Sequence, residues 1–443
     1  LDVYEAVPAG QTEGKYIVTT RWEKGLKFDD DGNQIMRCRF VAREFKAQSP
    51  WRTDLFAPTP SSATSRLVDF RAAKKNYPTF LCDAPNAFQQ VVEEEEVYVY
   101  PPAEWIAKHP EWHETGVMWR LKKQLYGRRA SPQKWMDFIA DGTMLKLGFR
   151  QDVAAPTFFH HEDQDLFVEV HMDDLYGTGP TESILWFLKA SKSYIELKSS
   201  GVLGLDATYQ HLKRTRRRTP AGITIVADER YTDKVLKLLD MADCKAKATP
   251  MRRETSEEAS SDSPLLETSD ATMYRSAVGV LIYVSADKPD IQFTVKTLTT
   301  EMQAPTMRGL GRLKHLARYL HGTRDLGIFF AAGEATRRPL PVVLKSYADS
   351  DYAGDKLSRK STSCGCLVAD GCLLMNYSRG QRVVALSSGE AEFYAAVTAI
   401  SESILIEHLL RFFGFKVLTH QLCFGFGLSI YHCSGKRSTF NFF

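Results

Sequence analysis

Residues 167–179 read FVEVHMDDLYGTG, an apolar strand that runs straight into two adjacent aspartates and out into a second short strand. A segment of this pattern folds as a tight β-hairpin with Asp173 and Asp174 at its turn. Carboxylates so close repel each other, and each loses hydration when partly buried, so keeping both ionised calls for a compensating cation. A hard divalent metal suits oxygen donors of this kind. Turns also favour aspartate for backbone reasons, so the pair alone leaves both readings open.

At 443 residues the chain is too long for one ordinary core, and two or three domains are expected. Its 44% hydrophobic and 25% charged residues are those of a soluble globular protein. The net charge is only +3, so any nucleic-acid-binding surface has to come from clustering. Two clusters exist. Lys213, Arg214, Arg216, Arg217 and Arg218 in HLKRTRRRTP read equally well as a solvated loop. Arg37, Arg39 and Arg43 in RCRFVAREF alternate with other residues, which puts all three on one face of a strand.

Eight scattered cysteines and the lack of a signal peptide at the start point to a reducing, intracellular compartment with free thiols. Cys364 and Cys366 suit buried small side chains better than zinc, since no second pair or spaced histidines follow. His160 and His161 also lack metal-ligand spacing. The longest uncharged run, 417–435, is too polar for hydrocarbon, so no membrane is expected as a partner.

Residues 20–45 predict two strands joined at Asp31-Gly32. PTFLCD is a strand ending at Asp83, broken by Pro85. SPQKWMDFIADGTMLKLGF predicts a helix with Ser131 as N-cap, Pro132 at its first position and Gly148 closing it. RRETSEEASSDSPLLETSD reads as a linker, and a helical block follows. GEATRRPLP marks a second boundary, after which a strand reaches Asp349 and Asp351 and a hairpin turns at Asp370-Gly371. A long helix spans 387–413, with Ser387 and Glu390 in capping-box spacing and Gly414 ending it. Phe393, Val397, Ile400 and Ile404 mark its expected buried face.

Two acidic constellations result. In the first, Asp83 ends one strand while Asp173 and Asp174 occupy a hairpin, and neighbouring strands would unite them. Two divalent ions held by such a set stabilise the attacking and leaving oxygens of in-line phosphoryl transfer. In the second, Asp349 ends a strand and Glu392 sits in the second turn of the long helix, where an acid is also favoured by the helix dipole.

The order of motifs across nearly the whole chain resembles the reverse transcriptase and ribonuclease H region of copia-type LTR-retrotransposon Pol polyproteins. RCRFVAREFK resembles that family's basic fingers strand, and FLCDAPNAFQQVVEEEEVYVYPPAEW its segment with the first catalytic aspartate. MWRLKKQLYGRRASPQKWMDF is similar to its LKKxLYGLKQAPRxW signature, and HMDD falls where the family has Tyr-Val-Asp-Asp. YRSAVGVLIYVSADKPDI and LARYLHGTRDLG resemble its thumb and connection. YADSDYAGDKLSRKSTSCG and ALSSGEAEFYAA resemble its ribonuclease H domain.

The resemblance implies an α+β right-hand polymerase with fingers, palm and thumb, joined to a C-terminal α/β ribonuclease H-like domain that is incomplete. Its implied divisions are 1–250 for fingers and palm, 251–338 for linker and thumb, and 339–443 for the ribonuclease H-like domain. Asp83, Asp173 and Asp174 would serve as catalytic metal ligands for Mg²⁺, or Mn²⁺ in its place. Arg37, Arg39 and Arg43 would face phosphates, since guanidinium groups make forked, always-charged contacts with phosphate oxygens. Phe88 falls at the steric gate against a ribose 2′-hydroxyl, or is a core residue beside the strand. Gly127 would let the template-primer backbone approach, and His171 would pack near the primer end. Implied partners are an RNA template, a DNA primer, their hybrid, dNTPs, and the capsid, protease and integrase parts of a polyprotein. An active element would work in a cytoplasmic virus-like particle.

The sequence departs from the family in three places. His171 replaces the tyrosine expected before Met172. No acid follows Glu407, so Asp349 and Glu392 lack the third metal ligand of a ribonuclease H, and that activity is expected to be lost or weak. Leu1 stands where an initiator methionine would, as in a piece of a longer polyprotein. Two rival readings are a catalytically dead remnant that still binds hybrid, and a nuclease acting through the C-terminal domain alone.

Overall fold

The computed structural model describes residues 2–28, 33–47, 49–252, 254–255, 262–333, 339–355, 358–424, 428–431 and 437–440. The turn expected at Asp31-Gly32, most of the Ser/Glu-rich linker and the core of the second boundary therefore lie outside the described residues. Two compact units emerge, the first formed by Leu1–Pro60, Phe80–Gly177 and Glu182–Gly201. The second holds Ser61–Thr79, Thr178–Thr181 and Val202–Phe443. The finer division expected at residues 250 and 338 stands beside them as a proposal.

Along the chain come β1 (Tyr4–Pro8), β2 (Tyr16–Phe28) and β3 (Gln34–Arg43), then helix α1 (Ser62–Lys74), which belongs to the second unit. Next are β4 (Thr79–Asp83), β5 (Val97–Val99), β6 (Val117–Leu121) and helix α2 (Ser131–Ile139). β7 (Arg150–Gln151), β8 (Phe158–His161), β9 (Leu166–His171), β10 (Asp174–Thr178) and β11 (Lys198–Ser199) follow. Two sheets form, ordered β1-β6-β5-β2-β3 and β11-β4-β10-β9-β8-β7. Val18, Ala42, Val97, Val99, Trp119 and Leu121 build the core on the first sheet. In the second, β9 is an interior strand with Phe167, Val168 and Val170 fully buried, which explains its near-continuous apolar run.

The β2–β3 register sets Arg37 opposite Gly25, Arg39 opposite Glu23 and Arg43 opposite Thr19. The three arginines thus share one face, as alternation requires. At α2 the expectation needs correction, because Ser131 is the first helical residue and Ala130 the N-cap. Ser131 Oγ instead donates to Gln124 Oε1 at 2.8 Å and to the Leu125 carbonyl at 3.0 Å. Pro132 is accordingly the second helical residue rather than the first, still within the turn where its missing N–H does no harm.

The second unit continues with β12 (Thr208–His211), β13 (Arg214–Thr219), β14 (Gly222–Ala227), α3 (Glu229–Leu238), α4 (Thr268–Ser285), α5 (Gln292–Thr300), α6 (Met307–Gly322) and β15 (Ile328–Ala331). The helices pack through Val235, Tyr274, Leu281, Leu298, Leu313 and Leu320. The solvated-loop reading of the arginine run is overturned. β13 lies between β12 and β14 and turns alternate arginines inward. Arg216 is buried and meets buried Asp69 of α1 at 2.8 Å, and Arg214 meets Asp287 at 2.6 Å. Arg218 donates to the Tyr77 carbonyl, leaving Lys213 and Arg217 exposed. A buried guanidinium is tolerated only with such partners, and the alternation of the strand delivers them.

The last block comprises β16 (Leu340–Asp351), β17 (Thr362–Ala369), β18 (Cys372–Gly380), α7 (Ser388–Phe412) and β19 (Phe415–Phe424). The sheet runs β18-β17-β16-β19, antiparallel except for β19, which is parallel to β16. Asp370 and Gly371 both take positive φ, +45° and +80°, at the tight turn the sequence predicts. Ser387 caps α7 by accepting from Glu390 N–H, while the Glu390 carboxylate accepts from Leu386 N–H, so the reciprocal half of the box is shifted by one residue.

The expected buried face of α7 is corrected as well. Phe393 and Ile404 are 65% and 62% exposed, and Val397 and Ile400 are exposed too. Ala391, Ala395, Ala399, Ser403 and Leu410 face the sheet instead. Small side chains let the helix lie close to β16, β17 and β19, and residue 393 lies about 200° around the helix from residue 391. By length and composition α7 could cross a membrane, but here its alanine face serves a sheet-packed core helix.

Candidate functional site

β4 and β10 are neighbours, so the end of β4 at Asp83 lies beside the turn joining β9 to β10. Ala84 N–H donates to the Asp173 carbonyl at 2.8 Å, tying the two segments at the acids themselves. Asp83 is exposed, and Asp173 and Asp174 are half-buried. Burial, reinforced by the charges of Asp173 and Asp83, pushes the Asp174 carboxyl up to about 6. Among the described residues no three His, Cys, Asp or Glu side chains are gathered into a ready-made metal cage. The three acids nonetheless act on one another. An oxygen-donor set that raises its own proton affinity is one a divalent cation stabilises.

The hairpin turn is a two-residue loop, Met172 and Asp173, with Met172 at φ +55°. That position favours glycine. The buried Trp135 of α2 donates its indole N–H to the Met172 carbonyl at 2.6 Å. His171 ends β9 immediately before the turn, half-buried.

Beside the acids lies an aromatic and basic wall that sequence reasoning only partly found. Phe88 is buried and packs on Tyr126 with ring centroids 4.8 Å apart, and the Arg39 guanidinium sits 4.9 Å from the Tyr126 ring centre. Burial raises the Tyr126 phenol, Arg39 and Arg37 pull it down, and Asp173 and Asp83 push it up. Tyr126 thus senses both the arginine face and the acids. Arg43 departs from this group, with its guanidinium 5.7 Å from the Phe45 ring centre. Gly127 has φ +87°, and a Cβ there would lie 1.9 Å from the Ala42 carbonyl oxygen, so its fit against β3 is enough to require glycine. Tyr126 and Trp135 both belong to LYGRRASPQKW, and their place inside that motif was the available signal.

The acidic run behind this wall is an internal clip. Glu93 accepts from Arg128, Glu94 pairs with Lys134 at 2.8 Å, Glu95 with Arg52 and Arg128, and Glu96 with Lys15 at 2.8 Å. Arg128 also reaches Glu44 at 3.0 Å, and both side chains are wholly buried. Burial pushes Glu44 upward, but the Arg129 N–H, Arg128 and Arg52 together hold it below its usual range. Glu44 and Glu93 provide the charge that lets Arg128 occupy a buried site.

In the second unit Asp349 and Glu392 do meet. Ser350 Oγ donates to Glu392 at 2.9 Å, and Ser350 N–H donates to Asp349 at 2.9 Å. Burial raises Asp349, the Ser350 N–H lowers it, and Glu392 raises it again. Along β19, Cys423 stands opposite Tyr347 and Phe424 opposite Ala348, so the neighbouring strand brings no acid toward Asp349 among the described residues.

The family described as reverse transcriptase (RNA-dependent DNA polymerase) matches residues 2–253. The chain is 29% identical over 407 residues to the retrovirus-related Pol polyprotein from transposon RE1 of Arabidopsis thaliana, covering 90% of this chain and 26% of that protein. It is 26% identical over 417 residues to the Pol polyprotein from transposon TNT 1-94 of Nicotiana tabacum, covering 91% and 30%. The chain therefore spans less than a third of the length of these curated relatives. A foamy viral protease-reverse transcriptase solved in complex with double-stranded DNA aligns over 86% of this chain and 57% of its own, at 13% identity and a TM-score of 0.47.

Proposed function

The chain belongs to the reverse transcriptase (RNA-dependent DNA polymerase) family, and on that premise we propose that it extends a DNA primer on an RNA template by two-metal nucleotidyl transfer. The observation that carries the reading is the backbone tie between Ala84 and Asp173, which sets Asp83 beside the paired acids on adjacent strands. In this reading Asp83 and Asp173 hold Mg²⁺, or Mn²⁺, with Asp174 completing the set. Bound ions supply charge stabilisation at the attacking 3′-oxygen and at the departing pyrophosphate. Arg37 and Arg39 bind the triphosphate through forked contacts, with Arg43 further along the same face on template phosphates. Phe88, braced by Tyr126, excludes a ribose 2′-hydroxyl, and His171 lies against the primer end.

The ribonuclease H-like block keeps Asp349 and Glu392 but has lost its cleavage activity in this proposal, for want of an acid near Cys423. The template, primer and dNTP partners follow from the reading, as do neighbouring capsid, protease and integrase segments in a cytoplasmic particle. The test is primer extension on poly(rA) with oligo(dT) and Mg²⁺, alongside Asp173→Asn. Extension that is absent from the unaltered protein, or equal in the two, sinks the proposal. Salt-sensitive hybrid binding without incorporation would mark a polymerase-dead remnant instead.

A further inference from the structure

We infer that Trp135 is a positioning residue that fixes the direction of Asp173 by clamping the peptide before it. The inference rests on the polymerase reading of the acids. Met172 and Asp173 form the two-residue loop between β9 and β10, and their carbonyls take partners from other segments. Trp135 meets the Met172 carbonyl at 2.6 Å, from an indole that is fully buried in α2. On the other side, Ala84 N–H holds the Asp173 carbonyl at 2.8 Å. The peptide planes before and after Asp173 are therefore each pinned by one hydrogen bond, which fixes the Cα–Cβ direction from which its carboxylate projects.

The need for such a clamp lies in the turn. Met172 sits at φ +55°, a region sparsely populated by side-chain-bearing residues, and such a conformation persists only when its surroundings over-determine it. Rotation of the Met172–Asp173 peptide changes ψ of Met172 and φ of Asp173, and so re-aims Asp173. The Trp135 N–H opposes this rotation, and the base of α2 is itself anchored through Ser131 Oγ to Gln124 and Leu125. The tryptophan that closes the LYGRRASPQKW motif thereby has a chemical role, donation to the acid-bearing turn, in addition to filling the core.

Trp135→Phe keeps a six-membered aromatic ring in the core and removes the donor, so read together with thermal stability it separates the two roles. With the unaltered protein polymerising, the variant is expected to lose roughly tenfold or more in kcat, with KM for dTTP and affinity for poly(rA)/oligo(dT) within about threefold. Unchanged kcat overturns the inference, as does a matching loss of kcat and thermal stability that Trp135→Tyr restores. A second measurement needs no activity. In protein labelled with ¹⁵N-tryptophan, the Trp135 indole proton, identified by its loss in Trp135→Phe, is expected downfield among the seven indoles because its bond is short. A shift among those of solvent-bonded indoles overturns the clamp, even where absent primer extension has already overturned the polymerase reading.

Discussion

The two units each set acids from separate segments side by side, but they treat the carboxylates differently. In the first, Asp83, Asp173 and Asp174 accept no hydrogen bond on their side chains among the described residues, and burial, reinforced by their mutual repulsion, lifts Asp174 to about 6. Around them stand Arg37, Arg39, Tyr126 and Phe88. In the second, Ser350 donates to both Asp349 and Glu392, and the adjoining strand contributes Cys423 where a further acid would be useful. Unrelieved repulsion leaves a demand that a cation can meet. A serine that serves both carboxylates answers part of that demand from within the chain. Pairs of acids are therefore a weak sign of metal chemistry until their hydrogen bonds are counted.

The strongest way to break this comparison is to neutralise one acid in each site. Asp173→Asn is expected to lower primer extension by about 10³-fold or more, as loss of a main electrostatic contact does, whereas Glu392→Gln leaves extension within about twofold. Equal losses in gel-based extension assays would erase the distinction between the sites.

A second test addresses the frame behind the first site. Arg128→Ala leaves Glu44 and Glu93 buried without their arginine and is expected to destabilise by about 3–5 kcal/mol, read as an earlier urea midpoint. A loss below about 1 kcal/mol would mean that Arg52 and the Arg129 N–H suffice for Glu44.

The smallest effect concerns pH. Because its folded carboxyl titrates near 6 rather than 3.8, Asp174 favours the folded state when protonated. That contribution is complete below pH 3.8 and is lost as pH rises through about 6. Asp174→Asn is therefore expected to stabilise the metal-free protein by about 1–2 kcal/mol at pH 7.5, after discounting for solvent screening, with the gain fading toward pH 4. Urea titrations at the two pH values without divalent ions check it. A gain of the same size at both would assign the effect to packing.

Much of the candidate site was legible because its signals are local. The paired aspartates, the end of β4 before Pro85 and the alternating arginines of β3 follow from turn chemistry and strand period. The basic run of β13 misled because Asp287 lies 73 residues from Arg214 and Asp69 lies 147 residues from Arg216. No local pattern distinguishes an exposed arginine from one whose acid arrives from another element. On α7, Phe393, Val397, Ile400 and Ile404 form a regular stripe, but periodicity tells which residues share a face and not which face meets the sheet. The alanines won because they permit the closest approach. Trp135 and Tyr126 were visible as members of a motif, while their work became visible only with Met172, Phe88 and Arg39 beside them.

The sequence by itself determined the hairpin at Asp173-Asp174, the turn at Asp370-Gly371 and the Ser387 cap, and, through the order of its motifs, membership in the reverse transcriptase family. Those features depend on residues within a few positions of one another or on motif order. Tertiary structure alone decided that Arg128 is buried among glutamates, that α7 turns its bulky stripe outward, and that Asp173 is held between Trp135 and Ala84. The physical reason is that hydrogen-bond geometry and desolvation act between segments far apart in the chain, and only the fold chooses which of them meet.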